Sequence, residues 1–357
     1  MKYFINNNSD VLRSIAIRCK EKGFVFRART GVDFCSLLAL VILILGISVS
    51  IKQRSSSFWK RDDDDDECHY EALIAAGANM SGHELREVME HLQELSAAAE
   101  GISAKDLFDV VPMASGETGP LPEGCTKRVH LIRHGQGYHN VWGAEWFEAG
   151  KEGNAYADEG CPVDPELTSL GQDQARNLIP KMRSIFDEAK KRKKGIGEYP
   201  MVIVSPLRRA TQTALIALDS LAEDAIIVAT DRCREEMGLH RCDKRLAVSD
   251  LKAQFGTKVD YMMMQSHEQD TMWNADAREK KSDLVARALE FALWFENLPE
   301  EEVVVASHSS FLLTLVAVVF KQLTPKMSPQ DAAKLWFSTG EMRTFAIKQQ
   351  RRSETSY

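Results

Sequence analysis

The chain has 357 residues, 44% of them hydrophobic and 27% charged, with a formal net charge of -7. That length holds one α/β domain of about 200–250 residues plus an extension. The acidic balance removes support for nucleic-acid binding, which needs a basic face. A pocket of a few arginines can still be strongly positive inside an acidic protein.

In chain order, residues 1–33 carry seven Lys/Arg and form a basic N-terminal segment. Residues 34–51, Phe34–Ile51, then run without a charge. As a helix this run measures about 27 Å, near the length that spans a bilayer. It reads as a single-pass transmembrane anchor. The basic segment ahead of it is long for a secretory signal, although Ser48, Val49 and Ser50 leave a cleaved targeting segment as the alternative. The Lys/Arg bias predicts a cytoplasmic N-terminus, with the rest of the chain lumenal or extracellular. The Asn79-Met80-Ser81 sequon fits that topology.

Residues 52–124 read as a polar stalk with a helix and a linker. Arg54–Ser57 and Asp62–Asp66 are polar and self-repelling. Ser81 and Glu84 have capping-box spacing, and Leu85, Val88, Met89, Leu92 and Leu95 repeat at helical spacing. This helix either packs on the downstream domain or binds a partner. Gly116–Gly124, with two prolines, reads as linker.

From 125 to 350 strands and helices alternate. Strands are expected at Val129–Ile132, Met201–Val204, Ile226–Ala229 and Val303–Ala306, with Met342–Ile347 as an edge strand. A long amphipathic helix is expected over Ser169–Lys191, with Leu170, Leu178, Met182, Ile185 and Phe186 on its apolar side and Pro180 as a kink. Further helices are expected from about Arg209, over Leu284–Asn297, and over the very apolar Phe311–Leu323. Gly143–Pro162 reads as a loop. Continuous apolar strands between helices predict an α/β three-layer sandwich, a mainly parallel sheet with helices on both faces.

Seven cysteines, Cys19, Cys35, Cys68, Cys125, Cys161, Cys233 and Cys242, show no CxxC or Cys/His zinc spacing. Cys233 and Cys242 are close enough in sequence for a disulfide in an oxidising compartment; isolated thiols are the other reading.

Chemistry concentrates at strand ends. Leu131-Ile132 runs into Arg133-His134-Gly135, and Asn140 stands six residues after the histidine. A cation and an imidazole thus stand at the carboxyl end of a strand, where open α/β sheets bind ligands. A neutral imidazole can attack phosphorus while a guanidinium holds the phosphoryl oxygens. Ser205-Pro206-Leu207-Arg208-Arg209-Ala210-Thr211-Gln212-Thr213 puts arginines where a helix begins after the next strand. Val303–Ala306 delivers Ser307-His308-Ser309-Ser310 to the same edge.

These segments resemble the signatures of the histidine phosphatase superfamily, the phosphoglycerate mutase-like proteins, over roughly residues 125–350. Leu167-Thr168-Ser169-Leu170-Gly171 and the subsequent Gln174-Ala175 resemble a further family segment, with Thr168 as a helix N-cap. Cys233-Arg234-Glu235-Glu236-Met237-Gly238 through Arg245 resembles the acid-bearing stretch of phosphatase-like members. Mutases have Glu-Ser after the Arg-His-Gly; Gln136-Gly137-Tyr138-His139 here is similar to the broad phosphatase branch.

The resemblance implies a phosphoglycerate mutase-like fold and a phosphomonoester hydrolase that works through a phosphohistidine on His134. It implies that Arg133, Asn140, Arg209 and His308 bind the substrate phosphate, and that Glu235 is the acid, with Glu236 as competitor. Arg208 is expected at the rim or in solvent, and His139 as a loop residue. Lys244 and Arg245 are candidate substrate contacts or a solvated basic patch. Ser309-Ser310 departs from the glycines of many members. Trp273 and Arg278-Glu279 resemble another family element without a derivable role. No cofactor and no metal are implied, and the expected partner is a small phosphorylated substrate. The other readings are mutase-type phosphotransfer and a non-catalytic, membrane-tethered protein that binds a phospho-ligand.

Overall fold

The computed structural model describes residues 82–192, 199–264, 267–324 and 327–348. Among them six strands form one sheet in the order β1-β6-β2-β5-β3-β4. The strands are β1 (Val110–Met113), β2 (Cys125–Arg133), β3 (Met201–Val204), β4 (Ile226–Ala229), β5 (Glu302–Ser307) and β6 (Met342–Lys348). β2, β5, β3 and β4 run parallel, and β6 joins antiparallel to both β2 and β1.

The pleat sends alternate residues to opposite faces. Ile132, Val202, Val204, Val304 and Ala306 enter one core with Met182, Ile185, Phe186, Ala217, Leu218 and Leu251. Those partners come from α4 (Ile179–Arg192), α5 (Arg208–Leu218) and α6 (Val248–Phe255). On the other face lie α7 (Lys281–Glu296) and α8 (Ser309–Thr314), the latter continued by a π turn over Leu315–Val319. There Phe291 meets Phe311 edge-on at 5.4 Å, and Phe320 meets Phe345 of β6 at 5.6 Å. The three-layer α/β arrangement agrees with the alternation of apolar strands and helices.

Several expectations are corrected. β6 is interior rather than an edge, because β1 pairs along it from Val110↔Ile347 to Met113↔Thr344. A four-residue strand with a proline carries little sequence signal, and Pro112 is tolerated because β1 is the edge. Residues before 125 therefore take part in this fold. So does α1 (Gly82–Ala98), which buries Val88, Met89, Leu92 and Leu95 at the expected spacing. It packs against α7 and against α9 (Pro329–Ala333), as a helix of this domain.

The single long helix is two: α3 (Ser169–Arg176) and α4. The break falls just before Pro180, which cannot donate to the preceding turn. Leu170 lies on the outside of α3, 51% exposed, instead of on the apolar side. The start of the expected loop is helical, as α2 (Tyr138–Glu148). Gly143 fits that helix because Tyr156 packs where its side chain would be.

Among the described residues no helix is long and apolar enough to cross a membrane. The expectation of a single-pass membrane protein with a lumenal or extracellular domain finds no support in those residues. Phe34–Ile51, the basic segment and the Asp62–Asp66 run lie outside the described residues.

Candidate active site

The parallel strands bring their carboxyl ends to one edge. Arg133 ends β2 directly beside Ser307 of β5, so His134 and His308 leave adjacent strands together. Their rings lie 5.0 Å apart. Ser205 comes directly after β3 and pairs its Oγ with His308 Nε2 at 2.7 Å. His308 Nδ1 is buried without a hydrogen-bond partner among the described residues.

The Arg-His-Gly turn is held by the other family segments. Gly135 N donates to Thr213 Oγ1 of α5 at 3.0 Å. Gly135 and Gly171 pack backbone to backbone: a Cβ on Gly135 would collide with the Gly171 carbonyl, and one on Gly171 with the Gln136 carbonyl. Thr168 accepts from Gly171 N at 3.1 Å as the N-cap of α3 and also bonds Gln136 Oε1 at 2.8 Å. The Leu-Thr-x-x-Gly segment thus shapes the turn that carries His134.

His134 is buried, and its Nδ1 sits 2.6 Å from the Gly135 carbonyl. Only an Nδ1–H can donate there, so Nε2 carries the lone pair. Arg209 Nε points at that Nε2 from 3.3 Å. Burial, then Arg209 and Arg133, hold the His134 imidazole well below its ordinary pKa. His308 is likewise pushed well down, first by burial and then by Arg209 and the other histidines.

Arg209 is fixed at both Nη atoms, to the Cys242 carbonyl at 2.7 Å and to Asp243 Oδ1 at 2.8 Å. Asp243 also takes Arg278 Nη1 at 2.9 Å. Burial alone would raise the Asp243 carboxyl, but Arg278 and Arg209 hold it below its ordinary value. Arg133 donates to the Phe337 carbonyl at 2.6 Å and stacks over Trp336 at 5.4 Å.

Glu235 sits at the start of α8, beside His308. Ser310 N donates to its Oε1 at 3.0 Å, Phe311 N at 3.2 Å, and Ser309 Oγ to its Oε2 at 3.0 Å. Ser309, which departs from the family glycine, therefore supplies a hydroxyl to this carboxylate. Glu236 faces elsewhere, with Lys281 Nζ at 2.7 Å from both its oxygens and His91 Nδ1 3.9 Å away. Burial raises the Glu236 pKa, with Arg278 and Lys281 opposing.

Asn140 accepts from Gly137 N at 2.9 Å through Oδ1, so its carbonyl oxygen shapes the turn at the start of α2. Arg208 turns away to the Asp164 carbonyl and Glu166. Arg245 is buried, and it spends donors on Asp231 and on the Glu268 and Gln269 carbonyls. It serves the fold, not a substrate. Lys244 lies 4.8 Å over the Trp273 ring.

Sequence reasoning missed three features. His139 is a buried third imidazole, 5.4 Å from His134, not a plain loop residue. Asp243 anchors Arg209; its signal was its place in the acid-bearing stretch. Arg278 and Glu279 have structural partners: Arg278 reaches Asp243 and Gly238, while Glu279 accepts from Met237 N and Arg287. Trp273 Nε1 holds the His240 carbonyl at 2.9 Å. Among the described residues no group of three or more His, Cys, Asp or Glu is arranged to hold a metal ion.

Residues 129–335 match the family model described as histidine phosphatase superfamily (branch 1). A phosphoglycerate mutase-like protein of Arabidopsis thaliana is 30% identical over 255 residues, 64% of this chain and 87% of the relative. A probable phosphoglycerate mutase of Saccharomyces cerevisiae, PMU1, is 31% identical over 205 residues, 49% of this chain and 65% of the relative. Among solved structures, a putative alpha-ribazole-5'-P phosphatase from Escherichia coli is 18% identical with a TM-score of 0.37, covering 62% of this chain and 94% of that one.

Proposed function

As the chain belongs to the histidine phosphatase superfamily (branch 1), we propose that it hydrolyses small phosphomonoesters through a phosphohistidine on His134. The observation that carries this reading is the tautomer. With Nδ1–H given to the Gly135 carbonyl, the Nε2 lone pair is left beside the Arg209 guanidinium. A buried neutral imidazole next to a cation is ready to meet an anionic phosphoryl group.

Nε2 attacks phosphorus in line and the P–O bond to the alcohol breaks. Arg133, Arg209, His308 and Asn140 disperse the charge on the equatorial oxygens. His308 has an open, buried Nδ1 for such an oxygen. Glu235 gives its proton to the departing alkoxide. As a carboxylate it then takes a proton from the water that attacks the phosphohistidine. The two guanidiniums supply the positive charge that a metal provides in other phosphoryl-transfer sites, so the reaction proceeds with chelator present.

The test is p-nitrophenyl phosphate hydrolysis by the full chain with chelator, beside a folded His134→Ala. Samples quenched in alkaline denaturant, where phosphohistidine survives, are probed for the phosphoenzyme. Turnover and phosphoenzyme that both vanish in the variant support the reading. Turnover that survives in His134→Ala sinks it. The names of the curated relatives make 3-phosphoglycerate the second substrate. Phosphoryl return to the substrate, in place of phosphate release, would favour a mutase. Phosphate binding without any turnover would favour a binding protein.

A further inference from the structure

Ser205 is held in place through its backbone. Its N donates to the Ala306 carbonyl at 3.0 Å, and its carbonyl accepts Thr211 Oγ1 at 3.0 Å. The residue is fully buried, as is His308. Among the described residues its Oγ has two hydrogen-bonding neighbours. Leu207 N donates to it at 3.4 Å, and His308 Nε2 stands 2.7 Å away. The other ring nitrogen, His308 Nδ1, is buried with no partner among those residues.

A hydroxyl has one hydrogen to give, and a neutral imidazole carries one on either of its two nitrogens. Burial, then Arg209 and the other histidines, keep His308 neutral. Two arrangements are then open at the contact between Ser205 and His308. If His308 Nε2–H donates to the serine, the serine hydrogen has nothing to meet, because Leu207 N is itself a donor. The bare lone pair of Nδ1 is stranded as well. If Ser205 donates to Nε2, the hydroxyl both gives and receives, and only an Nδ1–H is left over. A buried polar group without a partner is costly, so the arrangement with one such group prevails over the arrangement with two. The group left over is a donor, on a ring 5.0 Å from that of His134.

We propose that Ser205 is a positioning residue that fixes the tautomer of His308, so that Nδ1–H is presented to an oxygen of the bound phosphoryl group. The effect on binding rests on the reading of His308 as a phosphate ligand; the tautomer does not. The two histidines then carry the same tautomer for opposite purposes. His134 gives its Nδ1–H to the Gly135 carbonyl and keeps the Nε2 lone pair for attack. His308 receives a hydrogen bond at Nε2 and keeps its Nδ1–H for donation. The Nε2–H form of His308 would turn a lone pair toward the phosphoryl oxygens, so that acceptor faces acceptor. With the serine in place the donor is set before the anion arrives, and no proton has to move when it binds.

The experiment labels the histidines of the full chain with the heavy nitrogen isotope and reads the protonation of each ring nitrogen by NMR at neutral pH without phosphate. His308→Asn identifies the signals of His308. Nδ1 protonated and Nε2 bare is the expected result. Ser205→Ala, which removes the donor and keeps the packing, should move His308 to the Nε2–H form or to a mixture. Orthovanadate, followed by titration calorimetry, should bind this variant more weakly by about tenfold or more, the scale of one hydrogen bond to a charged group. Nε2 protonated in the unsubstituted protein, alone or together with Nδ1, overturns the proposal, whether or not the variant folds. So does an unchanged tautomer in Ser205→Ala. The expected tautomers with equal orthovanadate affinity overturn the role of Nδ1–H in holding the phosphoryl group. None of these readouts needs turnover, so an inactive protein would sink the hydrolase reading and leave this one to its own result.

Discussion

Arg209 aims its Nε at the Nε2 of His134 from 3.3 Å while both of its Nη atoms are tied to the Cys242–Asp243 turn. The guanidinium is fixed before any substrate arrives, so little reorganisation is left for the reaction. A lysine has one ammonium on a flexible stem and cannot hold both anchors and face His134 together. Arg209→Lys should lower kcat/KM by about 100-fold or more, read from steady-state kinetics, with near-native circular dichroism. A change within threefold would remove Arg209 from the phosphate site.

The two glutamates separate by partner. Glu235 is held by the first turn of α8 beside His308, and Glu236 by Lys281. Glu235→Gln should cut kcat by about 10²–10⁴-fold, the usual range for a lost general acid. An activated substrate such as p-nitrophenyl phosphate, whose leaving group needs little protonation, should suffer less than an alkyl phosphate. Glu236→Gln should leave kcat within a few-fold and cost about 1–3 kcal/mol of stability, since Lys281 loses its buried partner. The reverse pattern would move the acid to Glu236.

Gly135 and Gly171 leave no room for a side chain because each faces a backbone carbonyl, which cannot rotate aside. Gly171→Ala should lose about 1–3 kcal/mol, as overpacked sites do, with turnover reduced through displacement of His134. Gly119→Ala, whose added carbon meets ordinary space, is the control. Equal melting temperatures for the two variants would contradict the close approach.

Folding keeps His134, His139 and His308 neutral, each well below its unfolded pKa near 6.5. Below that pH the unfolded chain takes up protons that the folded chain refuses. Stability is therefore greatest above pH 6.5 and falls as pH drops toward the folded values, by about 1.4 kcal/mol per pH unit for each histidine. Denaturant titrations from pH 7.5 to 5 should show this slope, and His308→Asn should make it shallower. An unchanged slope in the variant would mean that His308 titrates alike in both states. The nucleophile of the free enzyme should also remain unprotonated well below pH 6.5, so any acid limb of kcat/KM near 6 belongs to another group.

Local pattern carried much of this protein. β3 and β4 matched their apolar runs residue for residue, because a buried parallel strand needs a continuous apolar stretch. The apolar runs of β2, β5 and β3 placed His134, His308 and Arg209 past strand ends, since the residues just past a strand must lie at the sheet edge. The spacing of Val88, Met89, Leu92 and Leu95 foretold the buried face of α1. The family segments marked the residues of the candidate site, but left open which of two adjacent glutamates meets the turn after His308.

Tertiary structure decided what those residues touch. Asp243 holds Arg209 from 34 positions away in sequence, and Ser309 supplies a hydroxyl to Glu235 across 74. Cys233 and Cys242 stay free thiols despite their nearness in sequence, and β1 covers β6 although its four residues announce no strand. Periodicity and motif spacing report the conformation of a few neighbouring residues. Hydrogen bonds between distant segments depend on how the sheet and loops pack, a term that no local window contains.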